Sequence, residues 1–190
     1  MNVTNLTKRF GEKLVLENFS CSFPEKGVVF VQGASGSGKT TFLNILAGLE
    51  KADSGEVFKE KVSYLFQEDR LLDWLSVFEN VFCVTKKTAE DKSKTEEILS
   101  KLGLDAEFNS FPNTLSGGMK RRVAIARTLV FDAKIVLLDE PFKGLDSETL
   151  KNTIEVIKEN TKEKLVLIVS HENDKQYFEN YSKIEIAKKH

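Results

Sequence analysis

The feature that most limits what this chain can fold into is the run Gly33-Ala34-Ser35-Gly36-Ser37-Gly38-Lys39-Thr40-Thr41. The apolar stretch Val28-Val29-Phe30-Val31 precedes it, and Phe42, Leu43, Ile45, Leu46 and Leu49 follow at helical spacing. Strand, glycine-rich loop and helix in that order are the setting in which Gly-x4-Gly-Lys-Thr forms a P-loop. The glycines let successive backbone N–H groups converge with no Cβ in the way, and the helix N-terminus adds about half a positive charge at the same point. Phosphate oxygens fit such a nest. The expected contacts to a nucleoside triphosphate come from Gly33, Ser35, Gly36, Ser37, Gly38, Lys39, Thr40 and Thr41. Lys39 would bridge the terminal phosphates as a point charge, and the Thr40 hydroxyl would complete a Mg²⁺ shell.

Along the rest of the chain, short strand-like and helix-like stretches alternate, which predicts a largely parallel α/β core. Strands are expected at 3–7, 14–23, 28–31, 55–58 and 62–66. The runs 135–138 and 165–169 are apolar on both faces, as buried parallel strands are. The early strands would form an antiparallel flank, and 67–115 reads mostly as an inserted helical subdomain within a single 1–190 domain. Thr88 with Asp91 is placed to make a capping box, Gly103 to end that helix, and Ser147 to open another running to about residue 160.

Composition removes several classes of function. The chain has 190 residues, with 28 Lys and Arg against 29 Asp and Glu, a formal charge of −1 that gives no general attraction to nucleic acid or anionic lipid. Cys21 and Cys83 lie far apart with no ligand spacing, which fits a reducing compartment and speaks against a disulfide framework or structural zinc. No stretch reaches the ~20 apolar residues of a membrane-spanning helix, and the first residues carry no cationic leader. An unprocessed chain that meets a membrane only through a partner is expected.

A second set of residues completes the chemistry. Asp139 ends the 135–138 strand, where open α/β sheets place ligand groups, and its carboxylate would hold Mg²⁺ through water. Glu140 would face the opposite way on an ideal strand, but Pro141 ends the ladder and lets the backbone turn it toward the γ-phosphate as the group that orients or deprotonates water. At Leu115-Ser116-Gly117-Gly118-Met119-Lys120-Arg121-Arg122, Ser116 is a good N-cap and three cations crowd the helix start against the macrodipole. That cost points to an anion nearby.

With these motifs in fixed order the chain resembles the ATP-binding cassette (ABC) ATPases over nearly its whole length. Residues 33–40 match the family's Walker A motif, 135–140 its Walker B motif with a catalytic glutamate, and 115–118 its signature. Gln67 matches the Q-loop, Gly144-Leu145-Asp146 resembles the D-loop, and Ser170-His171 resembles the switch histidine. The resemblance implies a head-to-tail dimer, of two identical copies or of this chain with a paired nucleotide-binding subunit. Each ATP would lie between Walker A of one subunit and Ser116, Gly117 and Gly118 of the other. The cationic helix would then find its anion in the γ-phosphate from across the interface. The resemblance further assigns Lys39, Glu140 and His171 to catalysis, Gln67 with Thr40 and Asp139 to Mg²⁺, and Asp146 and Gln67 to nucleotide binding, Gln67 also sensing the γ-phosphate. For Phe10, stacking on adenine and a plain core role both stand. Met119 occupies the position where the family has Gln or Glu, and Gly144 that of a small non-glycine residue. Little chain follows His171, and no C-terminal regulatory extension is expected.

The stretch 65–81 is similar to the Q-loop region of nitrate, sulfonate, taurine and thiamine-precursor importers, as is Asp139-Glu140-Pro141-Phe142. Leu72, Trp74, Leu75 and Val77 divide between helical-subdomain core and a surface for a transmembrane permease. The expectation is an ATPase peripheral to the cytoplasmic face of a cell membrane, powering import of a small anion or organic solute, with a solute-binding protein as a further partner. An exporter or lipoprotein-release ATPase and a soluble phosphotransferase are the alternatives.

Overall fold

The computed structural model describes residues 1–170 and 172–188. It divides into two compact units, the first of residues 1–64, 134–139 and 163–190, the second of 65–133 and 140–162.

The first unit is built on two sheets. Strands β1 (Asn2–Phe10), β2 (Lys13–Ser22) and β4 (Ser54–Val57) form an antiparallel sheet in the order β2-β1-β4. The second sheet runs in the order β5-β6-β7-β3-β8, from β3 (Gly27–Gln32), β5 (Val62–Leu65), β6 (Ile135–Asp139), β7 (Leu165–Val169) and β8 (Tyr181–Glu185). Its pairs β6–β7, β7–β3 and β3–β8 are parallel. The expected parallel core and antiparallel flank are both present. β1 runs past the expected end at Thr7 because its pairing with β2 continues there, Arg9 and Phe10 still facing Leu14 and Lys13, whereas its pairing with β4 ends at Thr7. Every residue of β6 and β7 is buried, and the registers Ile135↔Leu165 and Leu137↔Leu167 stack like on like.

One sheet face packs Val29, Val31, Leu137 and Leu167 against Phe42, Leu43, Ile45 and Leu46 of helix α1 (Lys39–Leu46). Phe42 is fully buried and meets Phe19 edge-on at 5.2 Å and Phe23 at 6.4 Å. Apolar burial at ~25 cal/mol per Å² is what fixes the helix start against the sheet, and with it the loop between them. On the other face Phe30 is clasped by Phe178 and Tyr181 at 5.4 and 5.1 Å.

The second unit contains helices α2 (Val77–Phe82), α3 (Ala89–Lys101), α4 (Gly117–Val130) and α5 (Ser147–Thr161). The expected capping box of Thr88 and Asp91 opens α3, and an unexpected one, Ser76 with Glu79, opens α2. Residues 67–115 are less helical than anticipated: 67–76 and 83–88 are loop, and 105–107 and 112–114 single 3₁₀ turns. Two causes are visible. Arg70 and Lys87 sit at positive φ, 46° and 62°, which interrupts a helix. The buried Asn80 side chain takes over the hydrogen bonding of the 72–76 loop, accepting from Leu72 N–H and donating to the carbonyls of Leu72, Leu75 and Ser76. Among the described residues no helix is long and apolar enough to cross a membrane, and no cluster of metal-ligating side chains was found. Cys21 and Cys83 are free thiols, and burial pushes the Cys21 pKa up to about 11.

Candidate functional site

In the first unit, β3 delivers the chain into residues 33–38, where Gly33, Gly36 and Gly38 have φ of 146°, 73° and 99°. At Gly33 an added Cβ would collide with the Ile186 carbonyl oxygen and with Ser37 Oγ. At Gly38 it would strike Val15 Cγ1 at 2.6 Å. Ser37 is 2% exposed, and among the described residues its hydroxyl finds no hydrogen-bond partner. A buried hydroxyl left unpaired inside a cradle kept free of Cβ atoms is a polar group in want of a ligand.

Lys39 folds back over the loop, its Nζ donating to the carbonyls of Gly33 at 2.8 Å and Ala34 at 2.9 Å. The Thr40 hydroxyl donates to Asp139 Oδ2 at 2.7 Å, joining residues 99 apart in sequence. Asp139 is 1% exposed at the end of β6. Hydroxyl and buried carboxylate together make a hard-oxygen pair of the kind Mg²⁺ takes. Replacing Gly33 by Ala is expected to cost about 1–3 kcal/mol from the backbone conformation alone, read as a lower urea midpoint at unchanged m. An unshifted midpoint would show the loop able to relax around a side chain.

In the second unit, Glu140 has φ 49°, the left-handed turn that Pro141 was expected to permit. Its carboxylate accepts from Gln67 Nε2 at 3.4 Å and lies 3.5 Å from Lys143 Nζ. Ser116 caps α4, its Oγ accepting from Met119 N–H at 3.2 Å. Methionine has no carboxylate or amide with which to close a capping box. Gly118 approaches Gly144: a Cβ there would stand 3.4 Å from the Gly144 carbonyl oxygen. Gly144 itself has φ 77°, so glycine suits a turn that a side chain would strain. Asp146 is the N-cap of α5, accepting from the N–H groups of Glu148 and Thr149 and from the Thr149 hydroxyl at 2.7 Å. The hydroxyl and amide of Thr149 hold its carboxyl below the ordinary aspartate range.

Two of the three cations at the start of α4, Arg121 and Arg122, require a correction. They were expected to face a phosphate from across an interface. Arg121 is instead buried, donating to the Asp69 carboxylate and to the carbonyls of Phe66, Glu140 and Pro141. Arg122 donates to the carbonyls of Leu102 and Gly103 past the end of α3. Arg122 thereby satisfies carbonyls left open at the end of α3, and Arg121 satisfies carbonyls of loop residues. The helical period alone could have flagged Arg121, since it falls on the face that buries Ile125 and Thr128.

Of the expected residues, 33–41, Asp139 and Phe10 thus belong to the first unit, and Gln67, 116–118, Glu140 and Asp146 to the second. Thr40 is brought to Asp139, and Gln67 to Glu140. Phe10 is 48% exposed with Lys8 Nζ 4.8 Å over its ring, so the core alternative for it is removed. Val77 is core, whereas Trp74 stands 73% exposed. His171 lies outside the described residues.

The ABC transporter family profile matches residues 16–143. The chain is 38% identical over 177 residues to the aliphatic sulfonates import ATP-binding protein SsuB 2 of Pseudomonas syringae pv. syringae, covering 92% of this chain and 64% of that one. It therefore spans just under two thirds of that relative's length. The arginine transport ATP-binding protein ArtM of Bacillus subtilis is 37% identical over 196 residues, covering 90% of this chain and 81% of its own. Among solved structures, the dimeric post-hydrolysis state of the ATP-binding cassette MJ0796 bound to ADP and Pi superposes with a TM-score of 0.83 at 30% identity. That match covers 98% of this chain and 96% of the cassette. Profile, sequence relatives and solved cassettes agree over most of its length, and the chain belongs to the ABC transporter family, as one of its ATP-binding cassettes.

Proposed function

We propose that this chain is the ATP-hydrolysing subunit of a membrane importer, bound peripherally to the inner face of the cell membrane through a permease. The observation that carries the reading is the glycine cradle of residues 33–38, with Lys39 folded over it and Thr40 bonded to the buried Asp139. Backbone N–H groups at a helix start and one ammonium recognise the β- and γ-phosphates, and the buried Ser37 hydroxyl gains a partner there. Thr40 and Asp139 would hold Mg²⁺, which when bound neutralises charge on the phosphate oxygens. Glu140, one peptide bond beyond Asp139, accepts a proton from water or orients it, with Gln67 as its neighbour and His171 as a contact to the γ-phosphate. Phe10 offers an exposed aromatic face to adenine.

Hydrolysis takes place in a pair of cassettes, each nucleotide meeting Ser116, Gly117 and Gly118 of the second subunit, with Asp146 at the start of α5 sensing it. The MJ0796 cassette is dimeric in its ADP and Pi state, which supports a pair here. Trp74, exposed seven residues beyond Gln67, and the half-exposed Phe111 supply apolar surface for the permease. Relatives named for sulfonate and arginine transport support a small anion or organic solute as cargo, and a solute-binding protein would be a further partner. The net charge of −1 gives nucleic acid no hold.

The test mixes two variants, Lys39→Ala and Ser116→Arg, each expected to release little phosphate from MgATP alone. A mixed dimer keeps one intact composite site, so activity is expected to reappear on mixing. A mixture as inactive as its components would overturn the shared site, and wild-type protein releasing no phosphate would overturn the ATPase reading.

A further inference from the structure

Arg121 is the most heavily engaged side chain that the proposed chemistry leaves unassigned. Its side chain is 4% exposed, and its donors go to two separate backbone segments. Nη1 donates to the Phe66 carbonyl at 2.7 Å, to Asp69 Oδ1 at 3.1 Å and, at a longer 3.4 Å, to the Gln67 carbonyl. Nη2 donates to the Glu140 carbonyl at 2.7 Å, and Nε to the Pro141 carbonyl at 3.2 Å. A guanidinium is a flat, rigid fork with donors in fixed directions, so whatever accepts along both edges is held in one plane. Segments 66–69 and 140–141 therefore cannot shift separately without stranding a buried donor.

Two consequences follow for the side chains of Gln67 and Glu140. The Gln67 amide reaches Glu140 Oε2 at 3.4 Å, a long contact too weak to set the relation of the two residues. Their backbones, gripped by one guanidinium, set it. Glu140 also holds a left-handed φ of 49°, a conformation that non-glycine residues keep only where their surroundings enforce it. The bonds from Arg121 to the consecutive carbonyls of Glu140 and Pro141 supply that enforcement. Arg127 adds a second tie to the Gln67 side, donating to the carbonyls of Asp69 and Arg70 at 2.7 and 2.9 Å.

We propose that Arg121 is a positioning residue that keeps Glu140 in its left-handed turn and in register with Gln67, so that these two respond as one body. The inference rests on the ATPase reading for its kinetic consequence, but its mechanical content does not. Lysine at this position keeps the charge toward Asp69 but, with its donors on one atom, cannot grip both segments. Glutamine keeps a short fork without charge.

The test uses the full chain with Arg121→Lys and Arg121→Gln. Amide hydrogen exchange is followed without nucleotide over 66–70 and 140–143, with α3 as internal reference. Exchange is expected to rise about tenfold or more in both segments together while α3 is unchanged. With MgATP, kcat is expected to fall roughly 10- to 100-fold in both variants, because the reacting groups lose alignment while nucleotide Kd stays within about threefold. Unchanged exchange at 140–143, exchange raised equally in α3, or full kcat in Arg121→Lys would each overturn the proposal. Should wild-type protein release no phosphate, the ATPase reading fails, and the exchange comparison alone decides for or against Arg121.

Discussion

Glu140→Gln is expected to lower phosphate release by about 10²- to 10⁴-fold, the range a positioned general base contributes, while MgATP still binds. The substitution exchanges one carboxylate oxygen for an amide nitrogen of the same size, so the left-handed turn at φ 49° and the backbone bonds to Arg121 persist. What disappears is the negative charge and its capacity to take a proton from water. Loss of the 3.5 Å pair with Lys143 matters little for stability, because Lys143 is 62% exposed and such surface pairs contribute about 0–1 kcal/mol. Wild-type and variant should therefore melt within a few degrees of each other. With hydrolysis stalled, the nucleotide-bound pair of subunits cannot part, and light scattering in MgATP is expected to give twice the mass of the free chain. Turnover equal to wild type would remove Glu140 from its assigned role, and a strictly monomeric variant in MgATP would remove the shared-site arrangement with it.

The residues best read from the sequence are those whose partners are local. Gly33, Gly38 and Lys39 declared a tight glycine turn between strand and helix because the three are contiguous, and the doubly apolar 135–138 run declared a buried parallel strand because neither face has polar relief. Thr88 and Asp91 were legible as a box for the same reason, lying three residues apart. The turn at Glu140 was legible through Pro141, which ends the ladder. Long-range partners were not. The ladder that carries β1 to Phe10 depends on where β2 lies, and the non-helical 67–76 loop depends in part on a single asparagine, Asn80, buried beneath it. Arg121 and Arg122 were read as cations seeking a phosphate because charge is visible in a sequence and carbonyl acceptors from 20 or 55 residues away are not.

Lys39→Ala separates binding from chemistry at the other end of the mechanism. Alanine is the best helix former, so the first position of α1 loses nothing in propensity, and Phe42 and Leu43 below it keep the helix packed on the sheet. The two carbonyls that lose a donor, Gly33 and Ala34, lie on a partly open loop where water replaces the ammonium. The fold should survive, with Tm within a few degrees of wild type. Nucleotide affinity should not. Charge-assisted hydrogen bonds contribute about 1.5–3 kcal/mol each, so losing the ammonium from the terminal phosphates should raise Kd roughly 10- to 100-fold. Calorimetric titration with MgATP at two salt concentrations reads both parts of the argument. Wild-type affinity should weaken as salt rises, because part of it is the attraction between Nζ and phosphate. The variant should bind weakly and depend less on salt. Wild-type affinity in a folded Lys39→Ala protein would mean that the glycine loop, for all its open backbone, is not where the triphosphate sits.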